Sequence, residues 1–437
     1  MKIDSVQLLG RNVDESTALR FQRWQVRSII GTMIGYAIFY IVRKNLSMAI
    51  PGMEADADLG FTKTDLGIFL TMNGVVYGIS KFLNGFVGDR VNARWFMMFG
   101  LTMCAICNIV FGMSSVVWLF GLMWVLNGWF QGTGYPPCAR ILSHWIHPKQ
   151  LATKMSVWNT SHSIGAFIAL VLCGYIVSFG WRWCFYIPAI IALFGVVFVF
   201  FVLRDTPSSV GLPEIAVGKM TDEVEHKKSN AEFKQILIKR VFKNPYIWIL
   251  SFANFFIYTV RFAFLDWGPT MFQQWLNVTP AESGWIAGGF EICGLLGMLY
   301  SGYASDKYFK GKAARVSFIC TIFALVAVAL LWMWKSNGLP LVGSIVFLFA
   351  VGFFIYGPQA LIGIAAANMA TKDAAASAVG LTGLFAYGST VLSGWGFGYV
   401  AEHFGWNYVF ISLIIAAVIG TIILGSLWKA KANGYDD

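Results

Sequence analysis

The segment "GFVGDRVNAR" at residues 85–94 recurs as "GYASDKYFKGKAAR" at residues 302–315, and this repetition decides the fold. Both copies follow an apolar stretch, and Asp89 and Asp306 occupy the same place in the two copies. Two further pairs of matching residues have nearly the same separation along the chain: Arg43 with Arg261, and Gly180 with Gly405. Three independent matches at almost one spacing predict an internal structural repeat.

The chain as a whole is too apolar for a soluble protein. Hydrophobic residues make up 57% of the 437 residues and charged residues only 12%, whereas a soluble domain needs more polar side chains to face water. Apolar runs of roughly 20 residues, enough to cross about 30 Å of hydrocarbon, recur along nearly the whole chain. We therefore predict twelve transmembrane helices, called spans 1 to 12, at residues 28–50, 66–87, 95–113, 115–138, 155–178, 183–203, 246–272, 282–303, 314–334, 340–363, 374–399 and 406–428.

The longest polar interruption separates spans 1–6 from spans 7–12. It predicts an all-α integral membrane protein with two pseudo-symmetric six-helix halves, an arrangement that resembles the major facilitator fold. The expected parts are an N-terminal segment at 1–27, a first half at 28–203, a cytoplasmic connector at 204–245, a second half at 246–428 and a tail at 429–437.

Basic residues outside the spans are concentrated on one predicted side of the membrane. A net charge of +10 would suggest a nucleic-acid partner in a soluble protein. Here nearly all Lys and Arg outside the spans lie in alternate gaps, beginning with the N-terminal segment. The positive-inside rule then predicts that both termini are cytoplasmic, and the charge gives no sign of nucleic-acid binding.

Two arginines inside the spans predict an anionic substrate. A charge at mid-bilayer costs at least about 3 kcal/mol and needs a partner, a water-filled cavity or a substrate. Arg43 and Arg261 lie at about the same depth, roughly 15 residues into spans 1 and 7. Because guanidinium matches phosphate or carboxylate with a planar fork of donors, the pair predicts a dianionic group. The alternative is that each arginine pairs with an acid and holds helices together.

Other polar residues accompany the arginines. Lys44 is rotated by about 100° from Arg43 on the same helix, and we expect a salt bridge to Asp266 or Glu291 that breaks as the halves move. His162 shares a helix face with Asn159 because they are three residues apart. Imidazole there could contact phosphate, or could be a packing residue. Three tyrosines near the arginines suit sugar or glycerol hydroxyls, with helix packing as the alternative: Tyr36, Tyr40 and Tyr258.

The repeated loop is similar to the major facilitator signature between spans 2 and 3. In that superfamily the loop caps neighbouring helices and stabilises one conformation. The resemblance therefore implies a gating role, and not substrate binding, for Asp89, Arg90 and Arg94, and by repetition for Asp306.

Several motifs together resemble the organophosphate:phosphate antiporters, from about residue 20 to residue 430. The motifs are "GYAIFYIVRKN" (35–45), "YGISKFLNG" (77–85), "GWFQGTGYPPCAR" (128–140), "SVWNTSHSIGA" (156–166), "YTVRFAFLDWGPT" (258–270), "FIYGPQALIGIAA" (354–366) and "GLTGLFAYGS" (380–389). The resemblance implies that Arg43 and Arg261 bind phosphate. It places Lys81 and His162 in the binding region, with Tyr77 and Tyr387 as further candidates.

The resemblance also implies the function. We expect exchange of an organic phosphate for inorganic phosphate by alternating access, without ATP, cofactor or metal, in a monomer of the bacterial inner membrane. Hexose-phosphate antiporters typically carry Asp and Lys in span 11, where this chain has Gly380 and Thr382, yet other segments are similar to hexose-phosphate carriers and their sensor. Hexose 6-phosphate is the expected substrate. A glycerol-3-phosphate exchanger, a hexose-phosphate sensor and a proton-coupled symporter using Glu291 and His162 are alternatives, whereas no accessible constellation indicates an enzyme.

Overall fold

The computed structural model describes residues 14–88, 90–215, 235, 238–370 and 374–430, which are helical with no β-strand. Eight spans are single helices: Glu15–Glu54, Lys63–Gly88, Ala93–Met113, Trp183–Val202, Pro280–Phe309, Ala313–Ser336, Leu341–Met369 and Trp406–Ser426 for spans 1, 2, 3, 6, 8, 9, 10 and 12. Four are built from consecutive pieces: Val117–Gln131 and Tyr135–Trp145 for span 4, Pro148–Asn159 and Ser161–Ile176 for span 5, Pro245–Phe262, Ala263–Trp267 and Gly268–Trp275 for span 7, and Ala375–Gly388, Val391–Gly396 and Phe397–His403 for span 11.

All twelve predicted spans are helical, which confirms the all-α class. Within the described part of the chain, nine stretches are long and apolar enough to cross a membrane: spans 1, 2, 3, 5, 6, 7, 9, 10 and 12. The helical pieces of spans 4 and 11 are short because each span is interrupted. Span 8 is a continuous helix of 30 residues that carries Glu282 and Glu291.

Helix ends follow local sequence signals. Span 8 begins with a capping box in which Thr279 and Glu282 satisfy each other's backbone N–H groups. Asn92 caps span 3 by accepting from the Trp95 N–H. Span 12 starts after Gly405, whose φ of 85° lies in the left-handed region that glycine tolerates best.

Contacts divide the chain into two compact units. The first unit contains the described residues of Met1–Arg43, Ile79–Ala169 and Phe185–His226, and the second contains those of Lys44–Gly78, Leu170–Cys184 and Lys227–Asp437. The first unit has a core of apolar side chains that includes fully buried Met97, Leu101 and Trp158. These units follow packing, whereas the expected halves follow the repeat, so the expected domain boundaries stay a prediction.

Candidate functional site

Arg261 is the best-defined site residue of the second unit. It lies one residue before the end of the helix Pro245–Phe262, where span 7 changes to π-helical geometry, and only 5% of its surface is exposed. Its Nη2 donates a hydrogen bond to the hydroxyl of Tyr356 at 3.1 Å, and its Cζ lies 4.5 Å from the centre of that ring. Glu291 Oε1 lies 4.0 Å from the same Nη2. The buried guanidinium therefore lies beside a tyrosine hydroxyl and a more distant carboxylate.

Glycines in span 8 make room for Tyr356. A Cβ on Gly294 would lie 2.5 Å from the Tyr356 ring, and one on Gly297 would lie 1.8 Å from the Phe353 carbonyl oxygen. Small residues at a helix interface let two helices approach closely in a membrane. Span 10 therefore packs tightly on span 8 and places the Tyr356 hydroxyl beside Arg261.

The contact between Arg261 and Glu291 is long for a buried ion pair. Glu291 is 1% exposed, and burying a charge is costly unless an opposite charge and hydrogen bonds replace water. A charge-assisted hydrogen bond measures about 2.7–2.9 Å, so the 4.0 Å separation is a long contact. Both ions lie in the same buried region, as the structural alternative for Arg261 requires, although Glu291 makes no hydrogen bond of ordinary length to Nη2.

Tyrosine rings complete the surroundings of Arg261. The Arg261 Cζ lies 5.7 Å from the centre of the Tyr258 ring. The Tyr387 ring lies 6.3 Å from the ring of Tyr258 and 5.0 Å from that of Tyr77. The three predicted tyrosines therefore form one continuous aromatic row that includes polar hydroxyls.

Lys44 and Asp266 form a buried salt bridge in the second unit. The Lys44 Nζ lies 2.7 Å from Asp266 Oδ1, and the two side chains are 9% and 11% exposed. Glu291, the other expected partner, lies near Arg261 instead. The salt bridge is present, and its rupture during a conformational cycle stays a prediction.

In the first unit, side-chain amides hold span 1 next to Arg43. Asn108 and Asn127 each donate to the Val42 carbonyl at 3.1 Å, and Gln131 donates to the Phe39 carbonyl at 2.9 Å. These amides come from spans 3 and 4. They fix the backbone immediately before Arg43 and so limit where its side chain can reach.

Arg43 and His162 lie near the same tyrosine. The Arg43 Cζ lies 5.6 Å from the centre of the Tyr40 ring, and the His162 ring centre lies 5.5 Å from it. The Nδ1 of His162 forms a hydrogen bond with the carbonyl oxygen of Asn159. Because a carbonyl only accepts, Nδ1 carries the proton and a neutral His162 presents Nε2 as an acceptor.

Tyr36 and Lys81 join the same aromatic group. Tyr36 is buried, with its ring 4.8 Å from that of Trp158 and 5.5 Å from that of Tyr40. The Lys81 Nζ lies 4.6 Å from the centre of the Tyr135 ring. The first unit therefore gathers three residues that can carry positive charge, Arg43, Lys81 and His162, around tyrosine rings.

The structure describes three of the four residues of the loop motif. Asp89 lies outside the described residues. Arg90 and Asp306 are exposed, and Arg94 donates to the Phe200 carbonyl at 3.4 Å, near the end of span 6. The described geometry gives Arg94 a capping contact, while the gating role stays a prediction.

Three residues near these sites were not predicted. Tyr135 and Tyr356 each contact a buried or half-buried cation, and their separation along the chain is close to the spacing of the internal repeat, which could have identified them. Asp205 accepts from the Ala93 N–H at 3.1 Å and lies 3.5 Å from Arg140. Asp205 sits just after span 6 in a polar connector, where the sequence offers nothing to distinguish it.

Comparison with known proteins gives extensive matches. Residues 32–394 and 275–434 match the Major Facilitator Superfamily. The "Probable hexose phosphate transport protein" of Chlamydia trachomatis is 39% identical over 431 residues, covering 94% of this chain and 92% of the relative. The "Glycerol-3-phosphate transporter" of Bacillus subtilis is 38% identical over 428 residues, with 95% of both chains covered. The "Membrane sensor protein UhpC" of Escherichia coli is 37% identical over 411 residues, with 93% and 92% covered.

Solved structures give an independent match of the fold. A bacterial homologue of the human lysosomal transporter Spinster, crystallised in an inward-facing and unoccupied conformation, superposes with a TM-score of 0.75 at 12% identity. The match covers 92% of this chain and 96% of that one.

Proposed function

Because the chain belongs to the major facilitator superfamily, and within it to the organophosphate:phosphate antiporters, we propose that it exchanges a hexose 6-phosphate for inorganic phosphate by alternating access. In this mechanism two halves rock about a fixed site, and substrate occupancy shifts the balance between the two open states. The reaction moves substrate across the membrane without changing it. It therefore needs no cofactor or metal.

The observation that carries the proposal is the geometry of Arg261. The guanidinium is buried, donates to Tyr356 at 3.1 Å and stays 4.0 Å from Glu291. A phosphate oxygen at hydrogen-bond distance would bind this fork more strongly than the distant carboxylate does. Arg261 is thus poised to accept a phosphate.

The first half would supply the matching groups. Arg43 corresponds to Arg261 in the repeat, so we assign it the same phosphate-binding role. Lys81 would add a further positive charge, and His162 would donate its Nε2–H to the phosphate in the protonated form of the imidazole. The tyrosines at 36, 40, 77, 258 and 387, with Asn159, would bind the hydroxyls of the sugar. Hydroxyl groups on rigid rings can satisfy sugar hydroxyls at little cost in conformational entropy.

The Lys44–Asp266 bridge and the loop motif would control the conformational change. A buried ion pair of 2.7 Å stabilises the state in which it forms, so the opposite state requires it to open. Asp89, Arg90, Arg94 and Asp306 would stabilise one conformation from the loops. We place the protein as a monomer in the bacterial inner membrane with both termini cytoplasmic, as the distribution of basic residues indicates.

Two other functions are favoured by specific relatives. The similarity to the B. subtilis glycerol-3-phosphate transporter, 38% identity, supports exchange of the smaller glycerol 3-phosphate. The similarity to UhpC, 37% identity, supports a sensor that binds hexose phosphate and moves little of it. Both would use the same phosphate-binding residues.

The test is an exchange assay in proteoliposomes loaded with radiolabelled phosphate. External glucose 6-phosphate should release the label, and glycerol 3-phosphate should release less. Arg43→Lys and Arg261→Lys should each abolish release, because a point charge cannot reproduce the fork, while Arg23→Lys on the exposed N-terminal helix should behave as wild type. Release by glycerol 3-phosphate alone would favour the second substrate, and saturable glucose 6-phosphate binding without release would favour the sensor.

A further inference from the structure

Span 11 contains a break that is completed by a side chain from span 2. The segment Val391–Gly396 is π-helical, between the helices Ala375–Gly388 and Phe397–His403. The Thr71 hydroxyl accepts a hydrogen bond from the Trp395 N–H at 2.9 Å and donates one to the Thr390 carbonyl at 2.8 Å. One hydroxyl from span 2 is therefore inserted between an amide and a carbonyl of span 11.

Two glycines allow this insertion. A Cβ on Gly394 would lie 2.5 Å from the Thr71 Oγ1, and a Cβ on Gly67 would lie 2.6 Å from the Gly394 carbonyl oxygen. Real Cβ atoms essentially never approach so closely, so a larger residue at either position would push spans 2 and 11 apart. The backbone contact and the threonine contact depend on each other.

The other side of the break is held from within the second half. Trp267, in the π-helical part of span 7, donates its indole N–H to the carbonyls of Ser393 and Gly394 at 3.0 and 3.1 Å. Spans 7 and 11 belong to the same expected half, whereas span 2 belongs to the other. If the halves separate here, Trp267 can keep its contact with span 11, but Thr71 must leave.

The break is near one end of spans 2 and 11. Two turns before Thr71, the Thr64 N–H and hydroxyl donate to Glu402, which lies in the last helical piece of span 11, beyond the predicted end of the span at residue 399. Spans 2 and 11 are thus in contact from Thr64 to Thr71 on the side of the membrane where span 2 begins. We call this the span 2–span 11 contact.

We propose that Thr71 is a positioning residue for the transport cycle, whose hydroxyl stabilises the π-helical form of span 11 while the span 2–span 11 contact is closed. The inference rests on the proposed alternating access. When Thr71 leaves, the Thr390 carbonyl and the Trp395 N–H need other partners, because polar backbone groups in a membrane interior must be satisfied. Regular helical hydrogen bonds would supply those partners, so opening of the contact and straightening of span 11 are coupled. π-Helical turns of this kind occur frequently at functional sites.

The test compares Thr71→Val, which has nearly the same shape without the hydroxyl, with Thr71→Ser, which keeps it. Thr421→Val is a matched control, because the Thr421 hydroxyl bonds to the Ala417 carbonyl of its own helix. The first readout is hydrogen–deuterium exchange of peptides covering residues 390–400 in reconstituted protein. Thr71→Val should exchange roughly tenfold faster there, since two hydrogen bonds of ordinary strength are lost, while Thr71→Ser and Thr421→Val should match wild type.

The second readout is the KM for phosphate measured from each side of the membrane. Opening of the span 2–span 11 contact should lower the KM on the Glu402 side and raise it on the opposite side by a similar factor. A purely structural defect would change both KM values in the same direction. Gly394→Ala places a methyl group against the Thr71 hydroxyl and should shift the two KM values as Thr71→Val does. It keeps the test available if Thr71→Val does not fold.

Two results would overturn the proposal: wild-type deuterium exchange in Thr71→Val, or KM values that move together. Failure of the wild type to exchange phosphate would instead count against the proposed function, and deuterium exchange would still report on Thr71.

Discussion

Breaking the Lys44–Asp266 bridge from one side should be far more harmful than removing both charges. At 2.7 Å, an effective dielectric constant of about 20 gives an attraction of about 6 kcal/mol, much of which offsets the desolvation of the two ions. Removing one partner leaves the other charge buried and costs about 3–5 kcal/mol, whereas replacing both by neutral residues is close to neutral. We expect Lys44→Met and Asp266→Asn each to destabilise the protein strongly, and the double variant to recover most of the loss.

The assay is thermal unfolding in detergent, followed with a thiol-reactive dye. Six of the seven free cysteines are buried and become reactive only on unfolding. Phosphate exchange of the four proteins is measured in parallel, because the double variant should be stable yet lack the bridge that we propose to break during the conformational change. With single-variant costs of about 3–5 kcal/mol and a near-neutral double variant, the double-mutant cycle should give a coupling energy of about 6–10 kcal/mol. Additive effects of the two single substitutions would refute the reasoning.

Three further predictions concern the second unit. Tyr356→Phe keeps the ring but removes the hydroxyl that accepts from Arg261. The KM for phosphate exchange should therefore rise by roughly tenfold, as for a lost hydrogen bond to a charged group. Tyr300→Phe, at an exposed position, should leave the KM unchanged. Gly294→Ala forces a methyl group against the Tyr356 ring and should cost about 1–3 kcal/mol in thermal unfolding, whereas Gly302→Ala, which meets no atom within 4 Å, should not destabilise the same helix. Glu402 lies beyond the predicted end of span 11 at residue 399. Partial burial raises the pKa of its carboxyl group, but the hydrogen bonds from Thr64 lower that pKa more. The pKa of Glu402 therefore lies below the ordinary 4.5. The Thr64–Glu402 contact is therefore fully stabilising above pH 4.5 and is lost as the pH falls through the lowered pKa. Distances between spin labels at Asp58 and Phe404 should lengthen as the pH is lowered from 7 through that pKa, and Glu402→Gln should remove this pH dependence.

The sequence predicted the fold because its signals are long and repeated. Long apolar runs identify spans without any knowledge of packing, and the repeat around Asp89 and Asp306 relates the two halves. The interruption of span 11 was not predicted. A π-helical turn such as Val391–Gly396 depends on a partner from another helix, Thr71, and nothing in the local sequence identifies that partner.

The charged residues of the site could be predicted from the sequence, whereas the contacts that depend on packing between helices could not. Charges inside spans are rare and costly, so Arg43, Lys44, Arg261 and Asp266 stood out before any contact was known. Tyr356 did not stand out, because tyrosine is common in this chain and its position beside Arg261 depends on a glycine in another span, Gly294. Which acid faces which base is likewise decided by helix rotation. Glu291 lies near Arg261 and Asp266 near Lys44 for that reason.

The long contact between Arg261 and Glu291 bears on the proposed exchange. The Tyr356 hydroxyl accepts from one nitrogen of the guanidinium, and Glu291 lies 4.0 Å from the same nitrogen. A carboxylate at about 2.8 Å would compete strongly with an incoming phosphate, because charge-assisted hydrogen bonds are short and strong. At 4.0 Å the competition from Glu291 is weaker. We infer that a bound phosphate strengthens the contacts of the guanidinium, so that in the proposed exchange the loaded carrier reorients more readily than the empty one.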